Sequence, residues 1–597
     1  MAGGAPILVG LDFGTTFSGI AWAFDGPDDE IEVISTWPGG GNRTSPKVPS
    51  VLSYDGLNIN WGYQVHPFAE AFQGIKLLLD ESQEIKYAPS LASGALLKKY
   101  KKDAVQVTAD YLNRLVSHAK SILQRRFDIG PHDMNLRFVL TVPATWSDKA
   151  KDKTLSAAIK ASIQPQDVSL ISEPEAAALY ALRAIQPNSV SRNDVFIVCD
   201  AGGGTVVRLR QSEIATALNS EQDLISYQIK TLEPLVLAEV TEGIGRICGS
   251  MLLDHRFERL LRDRIGPDQY ASLKPKSKEA ARTYWQDRVK PNYVGKYDED
   301  YGEIDYFIPL PGASDDPTVP IEDGFFHLSS DDVERIFDPI VCDVEELIAG
   351  QVASITRVGL SIEAIILVGG FGSSEYLFRR VQKQYPTIKV LQPPDAWSAV
   401  VRYKSSHIKT MTVFANELSS GAVQRGLEGN RVECRIARRN YGVEFRTDWN
   451  PITHGAQNRI WDRLEERYLG HQMHSCSTLT PGRLQSSEIR EDQPIKMDFY
   501  RTIEVRNAKT DMSGTVTLYF YNDGNPPDVR NSRILQLCVL EYDLSQIPQQ
   551  LFERKRNSKG VDYFVVPYKL VMTPTSASLL FELEFEGLSY GSVRSKY

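Results

Sequence analysis

The chain has 597 residues, too many for a single hydrophobic core, and its 42% hydrophobic and 24% charged residues are ordinary for a globular protein. Its net charge of −9 disfavours a nucleic-acid partner, because binding along a phosphate backbone requires clustered Lys and Arg. Its six cysteines lie far apart, which predicts neither a zinc site nor a disulfide framework. We expect a cytoplasmic or nuclear protein without a membrane partner, because neither a leader nor a membrane-spanning apolar stretch is evident.

The first strong element is an apolar run that ends in a carboxylate. Ile7 to Leu11 is typical of a buried strand, Asp12 follows it, and residues 19–24 suit a second strand. The turn between them can close its backbone N–H groups around an anion, and its candidate residues are Gly14, Thr15, Thr16 and Phe17. This strand, loop and strand is therefore a candidate phosphate-binding hairpin.

One cation, Lys76, lies inside the apolar run from Gly74 to Leu79 within a loop-rich region, about 37–102. A lysine in such a run usually extends its ammonium group to the surface. If Lys76 points into a cleft instead, it can neutralise a phosphate during transfer.

Two more buried strands are predicted, each followed by a helix. Leu136 to Val142 forms the first, and Ser147 suits the N-cap of a helix at Asp148 to Ala161. Val168 to Ile171 forms the second, and Glu173 stands where the next helix begins. A carboxylate there can orient water, or it can simply complement the positive end of the helix dipole.

A second hairpin of the same kind begins at Val195 to Val198, where a strand-like run leads to Asp200, 188 residues after Asp12. Its loop contains Gly202, Gly203, Gly204 and Thr205. A dinucleotide-binding loop would open a helix, whereas the β-branched residues up to Val207 favour another strand. Two matching hairpins indicate a duplicated lobe, with a phosphate chain between the two loops.

The remaining part of this region contains a third candidate contact. Asp254 to Ile265 and Ser329 to Val358 have helical patterns and flank a polar segment, about 294–324, which indicates an inserted subdomain. A buried strand at Ala364 to Val368 then leads to a helix at Glu375 to Gln384. Gly369, Gly370 and Phe371 lie between this strand and this helix. Glycines at the start of a helix allow a ligand to approach closely and leave backbone N–H groups available to it.

Beyond about Asn430 short alternating segments dominate, apart from a helix-like stretch at Trp461 to Arg467. We expect an all-β domain of sandwich type there, with strands near 498–505, 514–521, 535–544, 563–572 and 578–586. It contains no constellation of nucleophile, base and acid, so binding is its expected role.

Five of these motifs occur in an order that resembles the nucleotide-binding domain of the 70-kilodalton heat-shock chaperone family, over about the first 430 residues. They are D-F-G-T-T-F-S from Asp12, V-P-A-T-W from Val142, I-S-E-P-E-A-A-A from Ile171, D-A-G-G-G-T from Asp200 and L-V-G-G-F-G-S-S from Leu367. The F-G-S-S-E-Y-L wording and the β-rich C-terminal part are similar to the divergent "member 12" branch.

The resemblance implies an α/β, actin-like ATPase fold of two duplicated lobes, with ATP or ADP and Mg²⁺ in the cleft. Lobe I would span about 1–185 and lobe II about 186–430, with an inserted subdomain at about 254–360 and a β-rich C-terminal domain at 431–597.

It also implies roles for individual residues. Asp12 and Asp200 would hold the metal through water, while Lys76 and Glu173 would flank the γ-phosphate. The phosphates would lie against Gly14, Thr15, Thr16, Phe17, Gly202, Gly203, Gly204 and Thr205, and the adenosine against Gly369, Gly370 and Phe371. The candidate catalytic residues are thus Lys76, Glu173, Asp200 and Thr205, acting by positioning and charge neutralisation.

The chain departs from the family pattern inside two expected core elements. The second hairpin continues into Val207 where the family has an aspartate, but omission of Val207 to Gln222 would bring Asp223 to that place. Omission of Tyr403 to Ser420 would likewise join a family-like run directly to Gly421.

Our hypothesis is that both segments are translated introns. They are 16 and 18 residues long, which preserves the reading frame, and their terminal codons are compatible with GT and AG splice sites. The alternative is that both are genuine surface loops.

Coupling of the chaperone type is in doubt, because no apolar-acidic linker, helical lid or acidic terminal tetrapeptide is evident. Three functions remain open. The first is an ATP-binding, weakly hydrolysing chaperone-like protein whose β domain binds a protein or peptide client. The second is a small-molecule phosphotransferase of the same superfold, and the third is a catalytically impaired, nucleotide-gated scaffold.

Overall fold

The structure is a computed structural model with a mixed α/β architecture. It describes residues 6–25, 31–41, 44–81, 88–128, 130, 134–185, 190–202, 222–246, 249–298, 302–314, 319, 321–393, 417–454, 459–475, 487–508, 510–522, 527 and 530–597. The chain divides into two compact units, the first made of residues 1–236 and 243–431 and the second of residues 237–242 and 432–597. No helix in the described ranges is long and apolar enough to cross a membrane.

The first part of unit 1 is built on a sheet whose central strands are parallel. Its elements are β1 (Ile7–Asp12), β2 (Phe17–Phe24), β3 (Glu32–Val33), β4 (Lys47–Pro49), β5 (Val51–Asp55), β6 (Asn58–Trp61), β7 (Phe72–Gln73), α1 (Ala88–Tyr100), α2 (Ala104–Phe127), β8 (Leu136–Val142), α3 (Asp148–Lys160), β9 (Val168–Ser172) and α4 (Glu173–Ile185).

The sheet order is β3-β2-β1-β8-β9, with β4 also paired to β2. Strand β8 runs parallel to β1 and β9, whereas β2 is antiparallel to β1. Every residue of β1 is buried, as expected for a strand in a sheet covered on both faces. The carboxyl ends of β1, β8 and β9 therefore meet at one edge of this sheet.

A second sheet organises the rest of unit 1. The elements are β10 (Val195–Ala201), β11 (Gln222–Leu232), β12 (Leu235–Arg246), α5 (Ser250–Ile265), α6 (Pro267–Ser272), α7 (Pro275–Tyr284), β13 (Tyr297–Asp298), β14 (Gly302–Glu303), β15 (Tyr306–Pro309), β16 (Ile321–Glu322), β17 (Phe325–Leu328), α8 (Ser330–Arg357), β18 (Ala364–Val368), α9 (Gly369–Gly372), α10 (Glu375–Gln384), β19 (Lys389–Leu391) and α11 (Glu417–Glu428).

Within unit 1 the strands of this sheet follow the order β19-β18-β10-β11, and β12 comes next, with its residues 237–242 assigned to unit 2. Strand β18 is parallel to β10 and β19, while β11 is antiparallel to β10. Residues 250–357 supply helices α5 to α8 and the small sheet β15-β17-β16.

Two glycines let α11 pack tightly into unit 1. A Cβ atom at Gly10 of β1 would lie 2.0 Å from the carbonyl oxygen of Ser419, and a Cβ atom at Gly421 would lie 1.9 Å from that of Ala176 in α4. Ser419 and Ser420 are buried. The last four residues of the segment Tyr403 to Ser420 thus form the first turn of a packed helix, while residues 403–416 lie outside the described ranges.

Unit 2 consists mainly of antiparallel strands. Its elements are β20 (Val432–Ile436), β21 (Asn440–Asp448), α12 (Pro451–His454), β22 (Ile460–Asp462), β23 (Arg467–Ser475), β24 (Glu488–Ile489), β25 (Ile495–Glu504), β26 (Ser513–Tyr521), β27 (Leu535–Asp543), β28 (Glu553–Arg556), β29 (Asp562–Pro574), β30 (Leu579–Phe585), β31 (Leu588–Ser592) and β32 (Arg594–Lys596).

Two sheets of unit 2 share one hydrophobic core. One has the order β22-β23-β21-β26-β27-β32, and the other contains β25-β29-β30-β31 with β28 paired to β29. Leu518 and Leu540 enter the core from the first sheet, and Val566 and Leu570 enter it from the second. In β27 the outward residues alternate with buried ones, the pattern of a sheet that is covered on one face.

The helix expected at Trp461 to Arg467 is wrong, because these residues form the hairpin between β22 and β23. The side chain of Asp462 accepts hydrogen bonds from the backbone N–H groups of Leu464 and Glu465, each at 2.9 Å. Glu466 has a φ of +52°, which a helix does not allow. The local carboxylate therefore stabilises a turn in place of a helical turn.

Candidate functional site

The first hairpin brings a buried carboxylate to the edge of the β1 sheet. Asp12 is the last residue of β1 and is 2% exposed, and Thr15 in the loop is also buried. The loop is tight, since a Cβ atom at Gly14 would lie 2.1 Å from the carbonyl oxygen of Phe17. The carbonyl oxygen of Thr16 accepts a hydrogen bond from the backbone N–H of Ser50 at 2.7 Å.

Both oxygens of Asp12 have protein partners. Its Oδ1 accepts from the hydroxyl of Thr141 at 3.3 Å, and its Oδ2 lies 3.0 Å from Nζ of Lys47. We did not anticipate Lys47 from the sequence, because no local pattern distinguishes it from a surface lysine. Only the pairing of β4 with β2 brings it to Asp12.

Lys76 and Glu173, 97 residues apart in the chain, form a buried ion pair with 2.7 Å between Nζ and Oε1. Their side chains are 5% and 8% exposed. Lys76 belongs to a short 3₁₀ helix, Ile75–Leu79, and its ammonium also lies 5.5 Å from the ring centre of Trp146. The lysine therefore does not extend to the surface, and three separate sequence motifs meet around it.

The second hairpin brings Asp200 against the glycine-rich turn after β18. Asp200 is 3% exposed, and a Cβ atom at Gly369 would lie 2.4 Å from its Oδ1. Gly369 has a φ of +81°, which a residue with a side chain rarely adopts. A glycine at this position thus allows the two segments to touch.

The rest of this second group is partly described. Phe371 is buried, whereas a Cβ atom at Gly370 would meet nothing within 4 Å. Gly202 is described, and Gly203, Gly204 and Thr205 lie outside the described residues, as do residues 207–221 of the segment Val207 to Gln222. Gln222 itself belongs to β11.

The predicted residues gather at the carboxyl ends of parallel strands. Asp12 ends β1 and Glu173 directly follows β9, while Asp200 lies near the end of β10 and Gly369 directly follows β18. In α/β sheets, ligands bind in the crevice outside these strand ends. Each of the two sheets therefore has at least one buried carboxylate and a tight glycine turn at the carboxyl ends of its parallel strands.

The chemistry of these edges fits a magnesium nucleotide. Asp12 and Asp200 provide buried carboxylate oxygens, the ligand type that Mg²⁺ prefers. No group of three or more His, Cys, Asp and Glu side chains that could hold a metal occurs among the described residues. A magnesium ion whose other ligands are water and phosphate oxygens requires no such group.

Comparison with known proteins tests the family resemblance. No family model matches the chain. It is 23% identical to heat shock 70 kDa protein 12A of Mus musculus over 528 residues, which is 73% of this chain and 72% of that protein.

Heat shock 70 kDa protein 12B of Homo sapiens is 22% identical over 546 residues, covering 76% of this chain and 73% of that protein. Chaperone protein DnaK of Thermosipho africanus is 28% identical over 214 residues, covering 34% and 30%. These similarities confirm the resemblance to the heat-shock family and to its divergent branch.

Proposed function

We propose that this chain, a divergent relative of the 70-kilodalton heat-shock proteins similar to their 12A and 12B members, binds ATP in unit 1 and hydrolyses it slowly. The observation that carries the proposal is the buried Lys76–Glu173 pair, whose glutamate follows β9 at the same edge of the sheet at which Asp12 ends β1. A buried charge is costly unless it is paired, so a pair at a ligand-binding edge is a candidate for catalysis.

Two duplicated, actin-like lobes would provide the cleft. The sheet orders β2-β1-β8-β9 and β11-β10-β18-β19 support this assignment, because each has an antiparallel hairpin followed by two parallel strands. Each hairpin also bears its aspartate at the equivalent strand end, Asp12 in one and Asp200 in the other. Equivalent loops facing one cleft can bind the two sides of a phosphate chain.

Each candidate residue would have one role in binding the magnesium nucleotide. Backbone N–H groups of Thr15, Thr16 and the Gly202 loop would bind phosphate oxygens, and Asp12 and Asp200 would hold the hydrated Mg²⁺. The ion, when bound, supplies charge neutralisation of the phosphates.

Lys76 would neutralise charge on the terminal phosphoryl group, and Glu173 would orient the attacking water. One oxygen of Glu173 already accepts a hydrogen bond from the Lys76 ammonium group at 2.7 Å, so this carboxylate would hold the water in place beside a fixed positive charge. This geometry supports slow turnover, in which positioning provides most of the catalysis.

The test is ATP binding together with phosphate release by the whole chain. We expect Mg²⁺ and ATP to raise the unfolding temperature, and Asp12→Ala and Lys76→Ala to reduce phosphate release by at least about a hundredfold. Lys102→Ala is the control for loss of an ion pair of similar length, since Lys102 lies 2.8 Å from Asp110 in the same half of unit 1 but has a side chain 29% exposed. Stabilisation without turnover would favour the nucleotide-gated scaffold, and no binding would reject the proposal.

For unit 2 we propose a role in binding a protein or peptide client. An exposed aromatic cluster supports this role: Trp461 is 48% exposed and packs edge-on against Tyr468, whose ring centre is 3.4 Å from the guanidinium carbon of Arg459. Trp, Tyr and Arg are the residue types that dominate binding hot spots. We expect Trp461→Ala to reduce protection of a chemically denatured enzyme from aggregation; protection equal to that of the unchanged chain would contradict this role.

A further inference from the structure

We propose that Lys47 is a built-in counter-ion of Asp12 that exchanges with Mg²⁺ and so sets how strongly nucleotide binding depends on the metal. The inference rests on the proposed ATP site and adds a residue to it. It is carried by the strand register, the burial of the two side chains and a contrast with Lys76.

Lys47 and Asp12 lie on one row across three strands. Asp12 of β1 is directly opposite Gly19 of β2, and Gly19 is directly opposite Lys47 of β4. Directly paired residues project from the same face of a sheet, so both side chains are on one face with a glycine between them. The two backbones are about 10 Å apart at this row, a gap that a lysine can span only if no side chain stands between.

The backbone that bears Lys47 is anchored. The carbonyl oxygen of Lys47 accepts hydrogen bonds from the hydroxyl groups of Ser45 at 2.7 Å and Tyr63 at 3.2 Å. Three residues later, the Ser50 hydroxyl lies 2.8 Å from that of Ser18 in β2. Lys47 therefore approaches the phosphate loop from an ordered strand.

Burial shows why Asp12 needs a cation and why this one can leave. Asp12 has a side chain only 2% exposed, and a carboxylate at that depth requires a counter-charge. The Lys47 side chain is 26% exposed, so its ammonium group can move towards water or a phosphate without becoming buried and unpaired. Lys76, at 5%, has no such route and stays with Glu173.

The two lysines consequently have different roles. Lys76 stays paired with Glu173, whereas the Lys47 ammonium is paired with Asp12, the carboxylate that would hold the metal. Without Mg²⁺ the Lys47 ammonium is a positive charge next to the loop that would hold the phosphates. With Mg²⁺ present, lysine and metal compete for Asp12, and the metal would then supply the positive charge at this place.

The experiment measures the dissociation constant of ATP by calorimetry, with excess Mg²⁺ and again with a chelator, for the whole chain and its variants. We expect Lys47→Met to weaken metal-free binding about tenfold and to change binding with Mg²⁺ by less than about threefold, because one charge contact is lost only where no metal replaces it. Lys47→Arg, which keeps the charge, should retain metal-free binding within about threefold. Lys102→Met is the matched control, with a side chain 29% exposed and a partner at 2.8 Å.

A second measurement needs no nucleotide. Because the lysine no longer competes for Asp12, Mg²⁺ alone should raise the unfolding temperature of Lys47→Met more than that of the unchanged chain or of Lys102→Met. The role of Lys47 is overturned if Mg²⁺ raises the unfolding temperature of all three proteins equally. It is also overturned if Lys47→Met leaves unchanged the ratio between the affinities for ATP without and with Mg²⁺. Either result leaves the proposed ATP site intact. Failure of every variant, including the unchanged chain, to bind ATP with Mg²⁺ would instead reject the proposed function.

Discussion

Removal of Val207 to Gln222 is the perturbation that tests the second hairpin most directly. In the first hairpin Asp12 pairs with Gly19, and six residues separate them. In the second, Asp200 pairs with Asp223, and twenty-two residues separate them. Without the sixteen residues of the segment, six would remain, so the two hairpins would have loops of equal length.

The expected effect on stability follows from chain entropy. Closing a loop of six residues in place of twenty-two lowers the entropic cost by about 1 kcal/mol, from the logarithmic dependence on loop length. If the segment makes no stabilising contact other than the pairing of Gln222 with Ala201, its deletion should raise the free energy of unfolding by at most about this amount. Asp223 would then directly follow Val206, opposite Asp200, and we expect tighter binding of Mg²⁺ and ATP.

The assay is urea unfolding of the whole chain, the deletion variant and a variant in which Gly and Ser replace all sixteen residues. The replacement preserves loop length, so it should match the unchanged chain in stability. A deletion that lowers the free energy of unfolding by more than about 2 kcal/mol would show that the segment is an integral part of the fold, and would refute the reasoning.

Sequencing of cDNA across both junctions tests the intron hypothesis itself. Transcripts that carry both segments without interruption would reject it. For the second segment the structure sets a further condition: Ala399 to Arg402 would have to replace Glu417–Ser420 in the first turn of α11, where Ser419 and Ser420 are buried.

Three further predictions concern unit 1. Replacing Lys76 with Ala should lower the free energy of unfolding by about 3–5 kcal/mol, because the buried Glu173 carboxylate loses the positive charge 2.7 Å from it, and urea unfolding measures the loss. Gly369→Ala should destabilise by about 1–3 kcal/mol more than Gly359→Ala and weaken nucleotide binding, because only at Gly369 does the new methyl group meet another residue. Burial lowers the pKa of His118 from its usual 6.5, so the chain should lose stability as the pH falls below about 6.5, and His118→Gln should reduce this loss.

Each of these predictions has its own control. A double replacement of Lys76 and Glu173 by Met and Leu should recover most of the stability lost in the single variant, and failure to recover it would contradict the charge argument. Gly359 has a φ of +79°, close to the +81° of Gly369, but open space around it. Gly359→Ala therefore measures the cost of backbone strain without the steric contact that Gly369→Ala adds.

The sign of the pH effect also follows from the structure. Burial of the His118 ring, whose centre lies 5.4 Å from that of Trp37, disfavours the charged form and lowers the pKa. This effect outweighs the hydrogen bond between Nε2 and the carbonyl oxygen of Thr36, 2.7 Å long, which by itself raises the pKa. The folded state therefore binds a proton less readily than the unfolded state, and acid favours unfolding. A pH dependence of unfolding that is identical in His118→Gln would remove His118 as its cause.

The sequence determined the elements that depend on local chemistry. Apolar runs predicted β8 (Leu136–Val142) and β18 (Ala364–Val368) with their observed bounds. The helix cap at Ser147 was also predictable, since its hydroxyl accepts from the N–H of Ala150 three residues later. At Asp462 the same kind of local bond stabilised a turn, and a helix was wrongly predicted because a short run cannot distinguish the two.

Only the tertiary structure decided which of these elements meet. Lys76 and Glu173 are 97 residues apart, and Asp12 and Lys47 are joined by a register across three strands. Such pairings depend on how parallel strands align their carboxyl ends and on where a glycine leaves room, and neither property is contained in a local pattern. Strand periodicity specifies which residues are buried, but long-range packing specifies which buried charges neutralise each other.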